Sequence, residues 1–303
     1  MKLQNSKHNL FAHHRNLCAA LPLLWASLSI ILFASVNLSA FAMIKALNTA
    51  ATGMAGQEEN VNAISHNIAN VNTTGFKKGR AEFDDLLYQT IEEPGARTGA
   101  DTQHNVGIQI GSGVKITAVR KEFSQGMPQI TNNPFDIMIN GEGLFGIILP
   151  SGETLYTRDG AFNVNNQGII VTARGYQLFP GITVPSNTIS VNISSAGVVE
   201  AYFKNQIEPT NLGNIPLFRF TNPVGLKAEG GNLYRATSAS GPPIQSVPGE
   251  ENTGSLQQGA LEASNVNIMN EMTDLIKAQR AFEMNSKVMG VADQMLQTIN
   301  NIR

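Results

Sequence analysis

Two narrow apolar stripes, one near each end of the chain, restrict its fold more than any other feature. From Met43 onward, Ile44, Leu47, Ala51, Met54, Val61 and Ile68 fall at alternating steps of three and four, and polar Glu58 and Ser65 fill two further slots of the same seam. This is a heptad pattern one row wide. Gly53 and Gly56 each weaken it by about 1 kcal/mol relative to alanine, so the segment is a poor helix alone and needs a partner. The stretch "SHNIANVNTTGFKKG" (65–79) then closes it, with Asn72 and Gly75 offering the positive-φ tolerance of a helix cap or turn.

The candidate partner lies at the other end. Between Ile268 and Arg303 the chain has no proline and one glycine, and Leu275, Ala278, Phe282, Met289, Ala292, Leu296 and Ile299 repeat the three-four alternation, broadened by Val288 and Met295. Asn265 precedes this run, with Glu271 and Asp274 early and Lys277 and Arg280 later, the charge order a helix dipole favours. At about 1.5 Å per residue the helix would reach roughly 50 Å, too long and thinly apolar for an ordinary core helix. Two terminal helices with opposed narrow seams fit an antiparallel or bundled coiled coil standing off another body, although packing on one common core is the plainer alternative.

That other body reads as β structure. From Glu82 to Gly259 the chain is dense in Gly, Asn, Thr and Pro, and short alternations recur: "VKITAV" (114–119), "FDIMI" (135–139), "LFGIIL" (144–149), "GIIVT" (168–172), "TISVNI" (188–193) and "IPLFRF" (215–220). Turn pairs such as Asn140-Gly141 and Asp159-Gly160 separate them. The expected fold class is therefore multidomain α+β: terminal helices in a coiled-coil-like inner domain, and an all-β middle forming a sandwich or open barrel of short strands.

Chemical sites are harder to find. "GEGLFG" (141–146) matches the dinucleotide-binding glycine pattern, but "IILPSGETLYTRDG" follows it as another strand and hairpin rather than the required helix. Tight strand turns explain those glycines better. The only cysteine is Cys18, and after Met43 the only histidines are His66 and His104, so neither a histidine triad nor a thiolate metal site can be assembled. Glu82, Asp84, Asp85, Glu92 and Glu93 cluster before Pro94-Gly95, where a solvated face is the ordinary reading. No catalytic residue, cofactor or metal is expected. A net charge of -2 without a basic stripe excludes a nucleic-acid partner.

Residues 1–42 differ in kind. Lys2, Lys7 and Arg15 precede a charge-free apolar run from Leu17 to Ala42 that ends Ala40-Phe41-Ala42, which is the grammar of a signal peptide. Three readings compete: translated upstream sequence, which is preferred, a cleaved signal, or a retained anchor. Membrane contact is expected only if residues 17–42 are retained.

Two segments carry a resemblance. "SHNIANVNTTGFKK" and the C-terminal "LEASNVNIMNEMTDLIKAQRAFEMNSKVMGVADQMLQTINNIR" resemble the signature ends of the bacterial flagellar axial proteins, the rod and hook family. Between them "FDDLLYQTIEEPG", "MINGEGLFGIILPSGETLYTRDGAF" and "GGNLYRATSASGPP" resemble its distal-rod branch, so the likeness covers Met43 to Arg303. It implies a structural subunit, exported unfolded through the flagellar type III apparatus, that polymerises with its own copies into a hollow helical shaft. By the same resemblance its neighbours are proximal rod proteins, the hook protein and the surrounding rings. A proximal rod or hook subunit, or a secreted β-rich adhesin or glycan-binding protein, are the alternatives.

The family's pairing of its chain ends implies a domain plan. Residues 43–78 with 262–303 form the helical axial core, 79–108 with 226–261 an intermediate segment, and 109–225 an outer β domain. The expected subunit interface is Ile44, Leu47, Ala51, Met54, Val61, Ile68, Asn72, Gly75 and Phe76 with Leu275, Ala278, Phe282, Met289, Ala292, Leu296 and Ile299. The stretch Tyr88 to Gly107 is expected to stiffen contacts between neighbours. Because both seams bury little, the ends of a free monomer are expected to stay largely disordered until neighbours supply the missing surface.

Overall fold

The computed structural model describes residues 43–95, 105–204, 208–250 and 252–301. The N-terminal extension, His104 and part of the Tyr88–Gly107 stretch lie outside them. Helices do flank a β-rich middle: α1 spans residues 43–69 and α2 spans Ile268–Asn301, with twenty short strands among the described residues between them. Their contacts fall into two compact units.

Among the described residues, the first unit takes those up to Glu58, those within Phe83–Lys115 and those from Gln279 onward. In it the two glycines that weaken α1 have a use, because a Cβ on Gly53 would stand 2.8 Å from Asn285 Nδ2 and one on Gly56 would stand 3.3 Å from the Phe83 ring. Their helix cost is exchanged for close approach. An antiparallel ribbon of Tyr88–Glu92 and Ile108–Gly111 is anchored to α1 by Lys45, whose Nζ donates to Gln89 Oε1 (3.0 Å) and to the Ile110 carbonyl (3.2 Å).

The second unit, Glu59–Glu82 with Ile116–Ala278, holds the main core. A nine-stranded sheet is organised around Leu144–Ile148, which pairs with Thr154–Thr157, Gln177–Leu178 and Leu217–Arg219. Both of its faces are covered, which is why "LFGIIL" is an unbroken apolar run and not an alternation. Phe145 and Ile147 join one cluster with Ile137, Ile139, Phe162, Ile170 and Leu217. Leu144 joins the other with Tyr156, Phe218, Phe220, Leu226 and Tyr234. Gly146 shares that second face, where a Cβ would come within 2.5 Å of the Phe218 ring.

A three-stranded sheet, Thr188–Ile193, Val198–Phe203 and Thr210–Asn214, and two-stranded ribbons complete the unit. In "GEGLFG", Gly141 and Gly143 take φ of 116° and 134° in the turn between strands Ile137–Asn140 and Leu144–Ile148. The next element is the strand Thr154–Thr157, so no helix N-terminus meets the glycines.

Candidate functional site: a buried clasp and exposed helix faces

The residues that close α1 do more than stop a helix. Asn67, 2% exposed, donates from Nδ2 to the Gly79 carbonyl (2.8 Å) and to Glu271 Oε2 of α2 (3.0 Å), and its Oδ1 accepts from Gly79 N–H (2.8 Å). One side chain thus folds the segment after α1 back along it and ties it to α2. Thr74 Oγ1 donates to Asp159 (2.7 Å), while the Thr74 carbonyl accepts from Asn232 (2.6 Å). Gly75, at φ 66°, donates to the Glu262 carbonyl (2.8 Å), and a Cβ there would be 2.7 Å from the Arg158 carbonyl carbon. Phe76 is buried, with His66 against its ring at 5.5 Å and Lys121 Nζ 4.6 Å from its centroid.

Lys77 reaches the centre of the clasp. Its Nζ donates to Glu262 Oε1 (2.7 Å) and to the Ser124 carbonyl (2.7 Å), and the other carboxylate oxygen accepts from Arg158 Nε. Gly126 N–H adds a further bond to Glu262 (2.7 Å). The remaining Arg158 donors go to the carbonyls of Ile139, Gly141 and Gly143. Lys77, Arg158 and Glu262 are all among the buried charged residues, so this is a buried cluster of two cations around one anion. Burial pushes the Glu262 carboxyl up, but Arg158 and Lys77 together outweigh it and hold the group below its usual range. Burial pulls the Lys77 ammonium down by more than Glu262 restores. Fully hydrogen-bonded, such a cluster fixes one geometry; without its carboxylate it strands two buried cations.

Asn265 is part of the same clasp. Its Oδ1 accepts from Lys78 N–H (2.8 Å) and its Nδ2 donates to the Glu122 carbonyl (2.8 Å) and Ser124 Oγ (3.0 Å). It does not cap α2. Asn267 does, its Oδ1 accepting from the amides of Met269 (3.0 Å) and Asn270 (3.3 Å), as an N-cap side chain should.

The expected interface residues divide by exposure. Along α1, Leu47, Met54, Val61 and Ile68 are half-buried, whereas Ile44 and Ala51 are exposed and the most buried positions are Ala50, Gly56, Ile64 and Asn67. Along α2, Ala278 and Ala292 are buried, Leu275, Met289, Leu296 and Ile299 half-buried, and Phe282 exposed. Of the two C-cap candidates, Gly75 has positive φ and Asn72, exposed, does not. In the first unit Gly53 approaches Asn285, and in the second Asn67 meets Glu271.

Large apolar side chains remain in water. Met269, Met272 and Ile276 early in α2, and Met284, Val288, Val291 and Met295 later, are each about half exposed or more. Both strands of the Lys45-anchored ribbon are almost wholly exposed, with Tyr88, Ile91, Ile108 and Ile110 uncovered. Among the described residues no group of three or more His, Cys, Asp or Glu side chains could hold a metal ion, and no helix is long and apolar enough to cross a membrane.

Known proteins share these segments. A family model described as flagella basal body rod protein matches residues 47–77, one described as flagellar hook protein FlgE/F/G D1 domain matches 138–201, and one described as flagellar basal body rod FlgEFG protein C-terminal matches 257–302. The flagellar basal-body rod protein FlgG of Caulobacter vibrioides is 50% identical over 261 residues, 86% of this chain and 100% of the relative. That of Borreliella burgdorferi is 46% identical, over 86% of this chain and 99% of the relative, and that of Bacillus subtilis 37%, over 86% and 100%.

Proposed function

The chain belongs to the flagellar basal-body rod protein family, and from that membership we propose that it is a structural subunit of the distal rod, polymerising with its own copies into a stiff hollow shaft that transmits motor torque to the hook. A head-to-tail contact that does not close into a ring generates an open helical polymer, and repeated around a channel it makes a tube. In this reading α1 and α2 form a coiled-coil-like core lining the shaft, and the β-rich middle faces outward. Its neighbours are copies of itself, proximal rod proteins at one end, hook protein at the other and the basal-body rings around it. Export is through the flagellar type III apparatus.

The observation that carries the reading is the apolar surface of α2 off its buried seam, from Met272 and Ile276 to Val291 and Met295, left in water by a single chain. The ribbon after Phe83 supports it, because an isolated two-stranded ribbon is marginal in water and needs cover. N-terminal sequencing of protein from isolated basal bodies tests the assignment. This chain is expected there; its absence from the rod fraction, with a compact monomer that never polymerises, would overturn the reading.

A further inference from the structure

Asn140-Gly141 is the chain's only Asn-Gly pair, and its surroundings give it a chemistry the rod reading does not use. In such a pair the glycine amide nitrogen can lose its proton and attack the asparagine Cγ. The new N–C bond closes a five-membered succinimide as ammonia leaves, and water then opens the ring to aspartate or to isoaspartate, whose main chain is one methylene longer. Glycine favours the attack because no side chain shields its nitrogen. Here Gly141 cannot be exchanged: its φ is 116°, and a Cβ would lie 2.8 Å from the Gly254 Cα. The fold therefore imposes half of the reactive pair.

Gln125 bridges both reacting groups. Gly141 N–H donates to Gln125 Oε1 (3.1 Å), which occupies the nucleophile's proton, and Gln125 Nε2 donates to Asn140 Oδ1 (3.2 Å), which fixes the electrophilic amide. Pairing of Asn140 with Ser255 keeps that residue extended. The carbonyls on either side, Ile139 and Gly141, are two of the three that hold the Arg158 guanidinium. An extra methylene between them would unseat Arg158 and with it the Glu262 cluster.

We propose that Asn140-Gly141 is a latent deamidation site, held closed by the Gln125 side-chain amide, and that its modification loosens the buried clasp joining the chain ends. The bridge is worth one or two hydrogen bonds, so its loss should speed deamidation about tenfold. The full chain and its Gln125→Ala and Gln125→Asn variants are incubated in mildly alkaline buffer, and conversion at Asn140 is followed by peptide mass spectrometry that separates aspartate from isoaspartate. Loss of the bridge itself should lower the melting temperature of both fresh variants by only a few degrees, so each aged sample is compared with its own fresh protein. Both are expected to convert about tenfold faster than wild type, to match wild type in concentrated urea, and to melt lower as isoaspartate accumulates. Equal folded-state rates in all three proteins would overturn the proposal, as would an isoaspartate form that melts like the parent.

Discussion

Asn67 and Glu271, 204 residues apart in sequence, meet through a 3.0 Å hydrogen bond that links the last turns of α1 to the first turn of α2. The same asparagine holds both backbone groups of Gly79, so one side chain serves the pairing of the chain ends and the path from helix to strand. Asn67→Ala leaves the Gly79 amide and carbonyl buried without partners and should cost about 2 to 4 kcal/mol. Asn67→Asp should be no milder, since it cannot donate and sets a second carboxylate beside Glu271. Urea unfolding of the full chain measures both, and a change below about 0.5 kcal/mol, the level of an ordinary surface substitution, would contradict the clasp.

Glu262 is the sole anion between two buried cations, and removing it should be worse than removing one of them. Glu262→Gln strands Lys77 and Arg158 and is expected to cost about 3 to 5 kcal/mol. Lys77→Met leaves a matched Arg158–Glu262 pair and should cost markedly less. The pH dependence has a defined sign. Because the folded Glu262 carboxyl titrates below its ordinary 4.5, its contribution is fully present above about that pH and is lost as pH falls through the folded value. Urea midpoints measured downward from neutral pH should fall in that acid range, and in Glu262→Gln this part of the acid loss should vanish.

Several elements of the fold are legible in the sequence, and what is not follows a pattern. The strand Thr188–Ile193 coincides with the alternation "TISVNI", and the three-four spacing placed Ala278 and Ala292 on the buried side of α2, because local periodicity carries that information. The clasp was invisible by the same standard. Lys77-Lys78 looks like a solvated pair, and only long-range contacts bring Arg158 and Glu262 to Lys77. Gly53 and Gly56 read as helix weakeners until Asn285 and Phe83 showed what they admit. Asn265 and Asn267 are both plausible caps by residue type, and the choice of Asn267 rests on the other's recruitment by Lys78 and Glu122.

Tyr234 gives an alkaline signature for the second unit. Burial pushes its phenol up to about 12 from 10.0, so the folded state resists its ionisation. Above pH 10 an unfolded chain would release this proton while the folded one keeps it, and stability should decline with rising pH, by roughly 2 to 3 kcal/mol near pH 12. Absorbance titration of phenolate should show one late step near 12 that Tyr234→Phe removes and unfolding in urea shifts down. A Tyr234→Phe protein with an unchanged titration curve would place the buried phenol elsewhere.

The exposed side of α2 separates folding from assembly. Ile276 is 50% exposed and Val291 49%, so a glutamate at either position meets water in the single chain and should change unfolding free energy by no more than about 0.5 kcal/mol. In a polymer whose copies cover that side, the same carboxylate would be desolvated without a partner, at a cost of several kcal/mol at every repeated contact. Ile276→Glu and Val291→Glu are therefore expected to melt like wild type, yet to fail to sediment as polymer and to leave a strain lacking the native gene non-motile. The seam gives the opposite contrast. Ala292 is 6% exposed and lies on the buried side of α2, so Ala292→Glu should disturb the packing of the first unit itself and not only the contacts between copies. Wild-type polymer yield from Ile276→Glu and Val291→Glu alike would mean that neighbouring subunits do not use this side, and the apolar side chains on it would need another explanation.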